Sequence, residues 1–160
     1  MLSERTRLSG VAIDLLSSLA PRLASRFEPL VPLIIPVILK VCARTNKVFV
    51  TRGRTLLLLI IEHCHLPTIL PFLRTATQDK SQSLRLAAAE ATSKLLALWE
   101  RRLLDVREGA SALTVRHRGN VEDIEAMVKE MARDPNPSIR QLNRTIFEQY
   151  AEMFPERVDA

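Results

Sequence analysis

Aromatic residues are scarce in this chain: one Trp, one Tyr and five Phe make up 4% of its 160 residues. Glycine is rarer still, at four. Sheets draw their cross-strand pairs from aromatic and β-branched side chains and their tight turns from glycine, so this composition starves strands and suits helices. Two cysteines exclude a disulfide framework. Long hydrophobic runs are missing as well. The most apolar stretches are Leu30–Leu39, broken by Pro32 and Pro36, and Leu56–Ile61, closed by Arg54 and Glu62. Neither approaches the roughly 18 residues that a membrane span needs. Arg5 and Arg7 are followed by no apolar stretch with a small-residue cleavage site, so no targeting segment is expected. There is no P-loop, dinucleotide fingerprint or nucleophile elbow, and no enzyme, cofactor or small-molecule substrate is expected.

What is present is an ordinary balance of 47% apolar and 26% charged residues, enough to exclude intrinsic disorder. The length suits one domain. The net charge of +5 is unevenly spread. Residues 1–60 hold nine Lys/Arg against three Asp/Glu, residues 61–120 nine against six, and residues 121–160 five against nine. One end of the molecule is therefore basic, which suits an acidic partner: a protein surface, nucleic acid or anionic lipid.

Apolar residues recur at three-and-four spacing through seven segments, each predicted as a helix. These are Leu8–Leu23, Pro29–Ala43, Val48–Cys64, Pro67–Thr77, Ser83–Glu100, Val121–Arg133 and Pro137–Phe154. Pro32 falls in a first turn, where proline is tolerated, whereas Pro36 predicts a kink or a boundary shift. Leu56–Ile61 is apolar all round, which marks the most enclosed helix. Residues 101–119 lose the periodicity and carry the basic stretch Arg116-His117-Arg118, so an insertion or mobile loop is expected there.

Two turns between these helices repeat each other. Asp79-Lys-Ser-Gln-Ser-Leu-Arg85 and Asp134-Pro-Asn-Pro-Ser-Ile-Arg140 share an Asp, then a Ser, an aliphatic residue and an Arg six places after the Asp. The Ser suits an N-cap, and the Asp can take up free N–H groups at the helix start and pair with the Arg one turn inside. A looser copy, Arg44-Thr-Asn-Lys-Val-Phe-Val-Thr-Arg52, lacks the Asp. The pattern resembles the HEAT repeat, of period about 40–47 residues. The two better copies stand 55 residues apart, a difference that the 101–119 segment accounts for. The expected fold is all-α: a solenoid of about three and a half HEAT-like hairpins in an ARM-like superhelix, one domain over residues 1–160.

The turn sequences resemble a narrower family. Cys42-Ala-Arg-Thr-Asn-Lys-Val48, Leu59-Ile-Ile-Glu62, Leu66-Pro-Thr-Ile-Leu-Pro-Phe72 and Asp79-Lys-Ser-Gln-Ser-Leu-Arg-Leu-Ala-Ala-Ala-Glu90 look like the TOG domains of the cytoplasmic linker-associated proteins, the CLASP family. So do Ile146-Phe-Glu-x-Tyr150 and Phe154-Pro-Glu-Arg157. The resemblance implies a tubulin-binding module of a regulator of microtubule dynamics, placed in the cytoplasm on microtubules and the mitotic spindle. It implies a paddle of six HEAT repeats that grips tubulin along one edge, where the turns inside each repeat line up. Carried onto this sequence, the tubulin-contacting turns are Arg44, Thr45, Asn46 and Lys47, then Lys80, Ser81 and Gln82, then Asn136 and Pro137. Arg85 and Arg140 stand at the base of their turns, where pairing with Asp79 and Asp134 is expected ahead of contact with a partner. Arg44 and Lys47 have no acidic neighbour in sequence, and tubulin is acidic.

Six repeats need twelve helices, and this sequence supplies seven. It reads as beginning at the second helix of the second repeat, truncated on its N-terminal side, with the edge turns of the first two repeats absent and apolar surface on Leu8–Leu23 exposed. Two other readings stay open: a HEAT scaffold for a protein other than tubulin, and nucleic-acid binding through the basic half, which the acidic last third and the few aromatics disfavour. His63-Cys64-His65 with Cys42 invites a metal reading. Residues two apart on a helix diverge, however, and no second cluster supplies further ligands, so a packed thiol beside surface histidines is expected. Trp99 and Tyr150 read as packing residues.

Overall fold

A computed structural model describes residues 4–104 and 120–158, and no strand occurs among them. The helices are α1 (Glu4–Leu23), α2 (Val31–Cys42), α3 (Lys47–Cys64), α4 (Leu70–Thr77), α5 (Gln82–Leu98), α6 (Arg101–Leu104), α7 (Asn120–Ala132), α8 (Pro137–Met153) and α9 (Pro155–Val158). Two 3₁₀ stretches, Ala24–Leu30 and Pro67–Ile69, lead into α2 and α4. All seven expected helices are present. Of the expected insertion, residues 101–104 are instead the short helix α6, with Leu104 1% exposed in the core. Residues 105–119, including Arg116-His117-Arg118, lie outside the described residues.

Neighbours in sequence pair as antiparallel hairpins: α2 with α3, α4 with α5, and α7 with α8. The second helices stack in series, α1 on α3, α3 on α5 and α5 on α8. In the other row α4 packs closely on α7, whereas α2 barely touches α4. The described residues form an α-solenoid of three and a half hairpins, each helix pair burying its apolar face only against its neighbours. Helix α3 lies between α1, α2 and α5, and of its all-round apolar run Leu56, Leu57, Ile60 and Ile61 are at most 1% exposed. Leu58 and Leu59 stay half-buried, so the helix expected to be the most enclosed is less so than α5, where only Gln82, Ala97 and Leu98 are exposed. Burial of each such side chain contributes about 1.5–3 kcal/mol. Between α2 and α3 the backbones approach at Gly53, where a Cβ would stand 3.0 Å from Val41 Cγ1 and 3.2 Å from Cys42 Sγ.

Of the prolines of α2, Pro32 lies in the first turn as expected, whereas Pro36 does not end the helix. The helix runs unbroken through Pro36, and the interruption falls earlier, where Ala24 adopts φ 47° and the chain continues in 3₁₀ form to Leu30. Pro32 sits at the second helical position, where its missing N–H removes only a donor that is unpaired in any helix. One carbonyl left without its partner at Pro36 costs less than ending a helix whose Ile35, Ile38, Val41 and Cys42 are all buried.

The two ends of the solenoid differ. On α1 and α2, Leu8, Val11, Leu15, Leu33 and Val37 are 58–72% exposed. On α8 the outward residues are Gln141, Arg144, Thr145, Glu148 and Glu152, with Phe147 among them. Beyond α8, Arg157 of α9 folds back to donate to Glu125 Oε1 at 2.7 Å, and Tyr150 Oη donates to the same oxygen at 2.6 Å.

Candidate functional site: the turn edge

The three turns within the hairpins adopt one register. Asn46, Ser81 and Asn136 are the N-caps of α3, α5 and α8 in extended conformation. Asn46 Oδ1 accepts from Val48 N at 3.0 Å, Asn136 Oδ1 from Ser138 N at 2.9 Å, and Ser81 Oγ from Leu84 N at 3.4 Å. The caps thus fall two residues before Ser83 and Ser138, the positions expected to cap. Lys47, Gln82 and Pro137 follow as first helical residues, and all three are exposed. Arg44, Asp79 and Asp134 each precede their cap by two residues.

The turns lie in one row because α3, α5 and α8 run parallel. Arg54 in the middle of α3 pairs with Glu90 in the middle of α5, its Nε 2.9 Å from Oε2, and Lys94 further along α5 pairs with Glu62 near the end of α3 at 2.6 Å. Ser83, not needed as a cap, donates from Oγ to the carbonyl of Cys42 in the neighbouring turn at 2.9 Å. Arg85 reaches forward to the next turn, its Nε 2.7 Å from Asp134 Oδ2 and its Nη2 3.3 Å from Oδ1.

That contact corrects the expected pairing of Arg85 with the Asp79 carboxylate, and of Arg140 with that of Asp134. Each arginine touches its own turn through backbone carbonyls instead. Arg85 Nη1 donates to Asp79 O and Lys80 O at 3.0 and 3.1 Å, and Arg140 Nη1 to Asp134 O and Pro135 O at 2.7 and 2.9 Å. The carboxylates cap the turn, Asp79 accepting from Ser81 N at 2.7 Å and Asp134 from Asn136 N at 2.8 Å. A six-residue spacing suggests a local carboxylate pair, but the guanidinium at that distance rests on its own turn's carbonyls, and that of Arg85 also meets the next repeat's acid. In α3 the register places Arg44 at the Asp position and buried Val50 at the Arg position, so this turn takes no part in the ladder. Arg44 lies over the Phe49 ring, 5.7 Å from its centroid.

Burial works against the Asp134 charge, but the Arg85 guanidinium, the Asn136 N–H and Arg140 outweigh it and hold the carboxyl below its usual range. Both acids are thus engaged by groups of the turns, Asp134 buried and ion-paired, Asp79 half-buried and holding the Ser81 N–H. By contrast, the cations Arg44, Lys47, Lys80 and Arg133 are exposed. Arg133 was missed by the sequence reading, although it stands beside Asp134 as Gln78 stands beside Asp79, and aligning the two turns reveals it. Of the nine expected contact residues, Asn46, Ser81 and Asn136 carry caps, and Arg44, Thr45, Lys47, Lys80, Gln82 and Pro137 present exposed side chains along the same edge.

The residues weighed for other chemistry are packed or apart. Cys64 is buried and donates to Ala20 O at 3.6 Å, while His63 and His65 are exposed. Burial pushes the Cys64 thiol up to about 11, and it pushes Cys42 up to about 11 despite Arg54. Trp99, 3% exposed, donates from Nε1 to Ile61 O at 3.0 Å. No helix among the described residues is long and apolar enough to cross a membrane.

Parallel stacked hairpins whose turns share one cationic rim define an interaction solenoid of HEAT type. The chain belongs to the CLASP N-terminal family, whose model, described as CLASP N terminal, matches residues 1–160. This is a family of microtubule-associated regulators. The chain is 30% identical over 156 residues to protein peg1 of Schizosaccharomyces pombe, covering 97% of this chain and 10% of peg1. It is 28% identical over 158 residues to protein stu1 of Aspergillus fumigatus, covering 98% of this chain and 11% of that protein. The chain spans about a tenth of the length of these curated relatives.

Proposed function

We propose that this chain is a tubulin-binding module and that it meets tubulin along the turn edge, through Arg44, Thr45 and Lys47, then Lys80 and Gln82, then Pro137, with Asn46, Ser81 and Asn136 holding the turns in shape. The observation that carries the reading is the sorting of charge along that edge in a member of a microtubule-associated family. Asp134 turns inward to its cap and to Arg85 and the half-buried Asp79 is held by the Ser81 N–H, whereas Arg44, Lys47, Lys80 and Arg133 face solvent. A rim of unopposed cations raises the encounter rate with an acidic partner and fixes register, while desolvated contacts set the lifetime. The module acts in a regulator of microtubule dynamics, at microtubules and the mitotic spindle.

The test is sedimentation velocity of the chain with soluble αβ-tubulin, beside a variant carrying Arg44→Ala and Lys47→Ala. A complex that the double variant weakens about tenfold, with a shallower dependence on salt, is the expected result. Unweakened binding by the double variant removes these two residues from the contact. No complex with tubulin, from a chain that circular dichroism shows to be helical, overturns the reading for this chain and favours the scaffold alternative.

A further inference from the structure

Beside the first turn of the edge, α1 and α3 part to leave an open groove of about 360 Å³. Its walls are apolar where they are most exposed. Val11 of α1 is 65% exposed and Val48 of α3 is 64% exposed, and Phe49 lines the groove between them and the turn. Its rim is basic. Arg7 lines it and is exposed, and beyond the lining residues the first turn adds Lys47, exposed next to Asn46 and Val48 in sequence, and Arg44, over the ring of Phe49. The acid that lines it, Asp14, is held by Arg52, whose Nη2 is 2.5 Å from Asp14 Oδ1 and 3.1 Å from the Gly10 carbonyl.

These features fit together in one way. Among the described residues the one carboxylate lining the groove is paired with Arg52, so the charge left facing outward is positive. An apolar wall beneath a cationic rim suits an apolar side chain presented within an acidic protein surface. A bare polyanion would satisfy the rim and leave Val11 and Val48 wet. A purely apolar partner would bury Arg7 and Lys47 without counter-charge, which is costly.

We infer that the α1–α3 groove is a second contact of the edge, seating an apolar side chain of the same acidic protein that the turns meet. This rests on the tubulin reading above and adds a non-charged anchor that the turns themselves do not supply. Desolvated apolar anchors next to near-neutral polar rims are where interface energy concentrates. The groove therefore governs how long the complex lasts, and the rim cations govern how fast it forms.

The test uses Val11→Ala with Val48→Ala. Both positions are exposed and helical, and alanine is the better helix former, so the fold stays intact; the thermal midpoint checks this. Binding to soluble αβ-tubulin is measured at several salt concentrations, beside Arg44→Ala with Lys47→Ala. The expected result is a Kd raised about tenfold in the valine variant, carried by a faster off-rate, with the salt dependence unchanged. The charge variant should instead flatten the salt dependence. A valine variant within twofold of the parent, while the charge variant is weakened, overturns the groove and leaves the turn edge standing. A parent chain that does not bind tubulin overturns both. Sedimentation equilibrium of the chain alone adds a further outcome: a self-association that the valine substitutions abolish makes a second copy the occupant and overturns the inference.

Discussion

Asp134 binds the third turn to the second with one carboxylate, accepting from Arg85 on both oxygens and from Asn136 N on one of them. Its side chain is 4% exposed and that of Arg85 14%. Removing one partner of so enclosed a pair leaves a guanidinium without its counter-charge, so Asp134→Asn is expected to cost about 3 kcal/mol, read as a lower urea midpoint at unchanged slope. Arg140→Ala, which gives up hydrogen bonds to two carbonyls at an exposed site, should cost about 1 kcal/mol. Asp134 also sets a pH dependence. Its folded pKa lies below the unfolded one, so the stability it contributes is complete above the unfolded carboxylate's titration near about pH 4 and is lost as pH falls through the lower folded value. Glu125, lowered by its hydrogen bond from Arg157 against the opposing effect of burial, acts in the same direction. Acid unfolding of Asp134→Asn, followed by circular dichroism, should therefore be flatter below pH 4 than that of the parent.

At the scale of the element, hairpins close where small residues let helices approach. Gly53 lies against Val41 and Cys42, two buried groups fixed in the core, so Gly53→Ala forces α2 and α3 apart. The expected net loss is about 1–2 kcal/mol, since overpacking exceeds the gain in helix propensity. At Gly10 a Cβ meets Arg52 Nη1 at 3.0 Å, the far end of a flexible side chain that can swing aside. Gly10→Ala should leave the thermal midpoint within a few degrees, and calorimetry of the two variants together separates these cases. The helices were legible because each needs only a stripe of its own residues; within Leu56–Ile61 the run's all-round apolar character hid which side faces out, and Leu58 and Leu59 are the half-buried ones. The joins between repeats were not legible. Arg85 and Asp134 are 49 positions apart, and nothing in either segment distinguishes a carboxylate in the next turn from one in its own. The caps were displaced for a related reason. Asn46, Ser81 and Asn136 all cap, and the more conspicuous Ser83 is drawn off by the Cys42 carbonyl of the neighbouring hairpin.

For the whole molecule, the parallel run of α3, α5 and α8 has an electrical consequence. Peptide dipoles add along each helix to leave roughly half a positive charge at its N-terminus, so three such ends on one rim supply about one and a half positive charges that no side chain carries. Substitution alone cannot remove this field. Changing Arg44, Lys47, Lys80 and Arg133 together to Gln should therefore weaken capture of an acidic partner but leave a residual, salt-sensitive attraction, whereas Lys47→Glu with Lys80→Glu should abolish it. Association rates measured across a range of ionic strength distinguish the two. The backbone keeps the rim electropositive even where the sequence along it drifts.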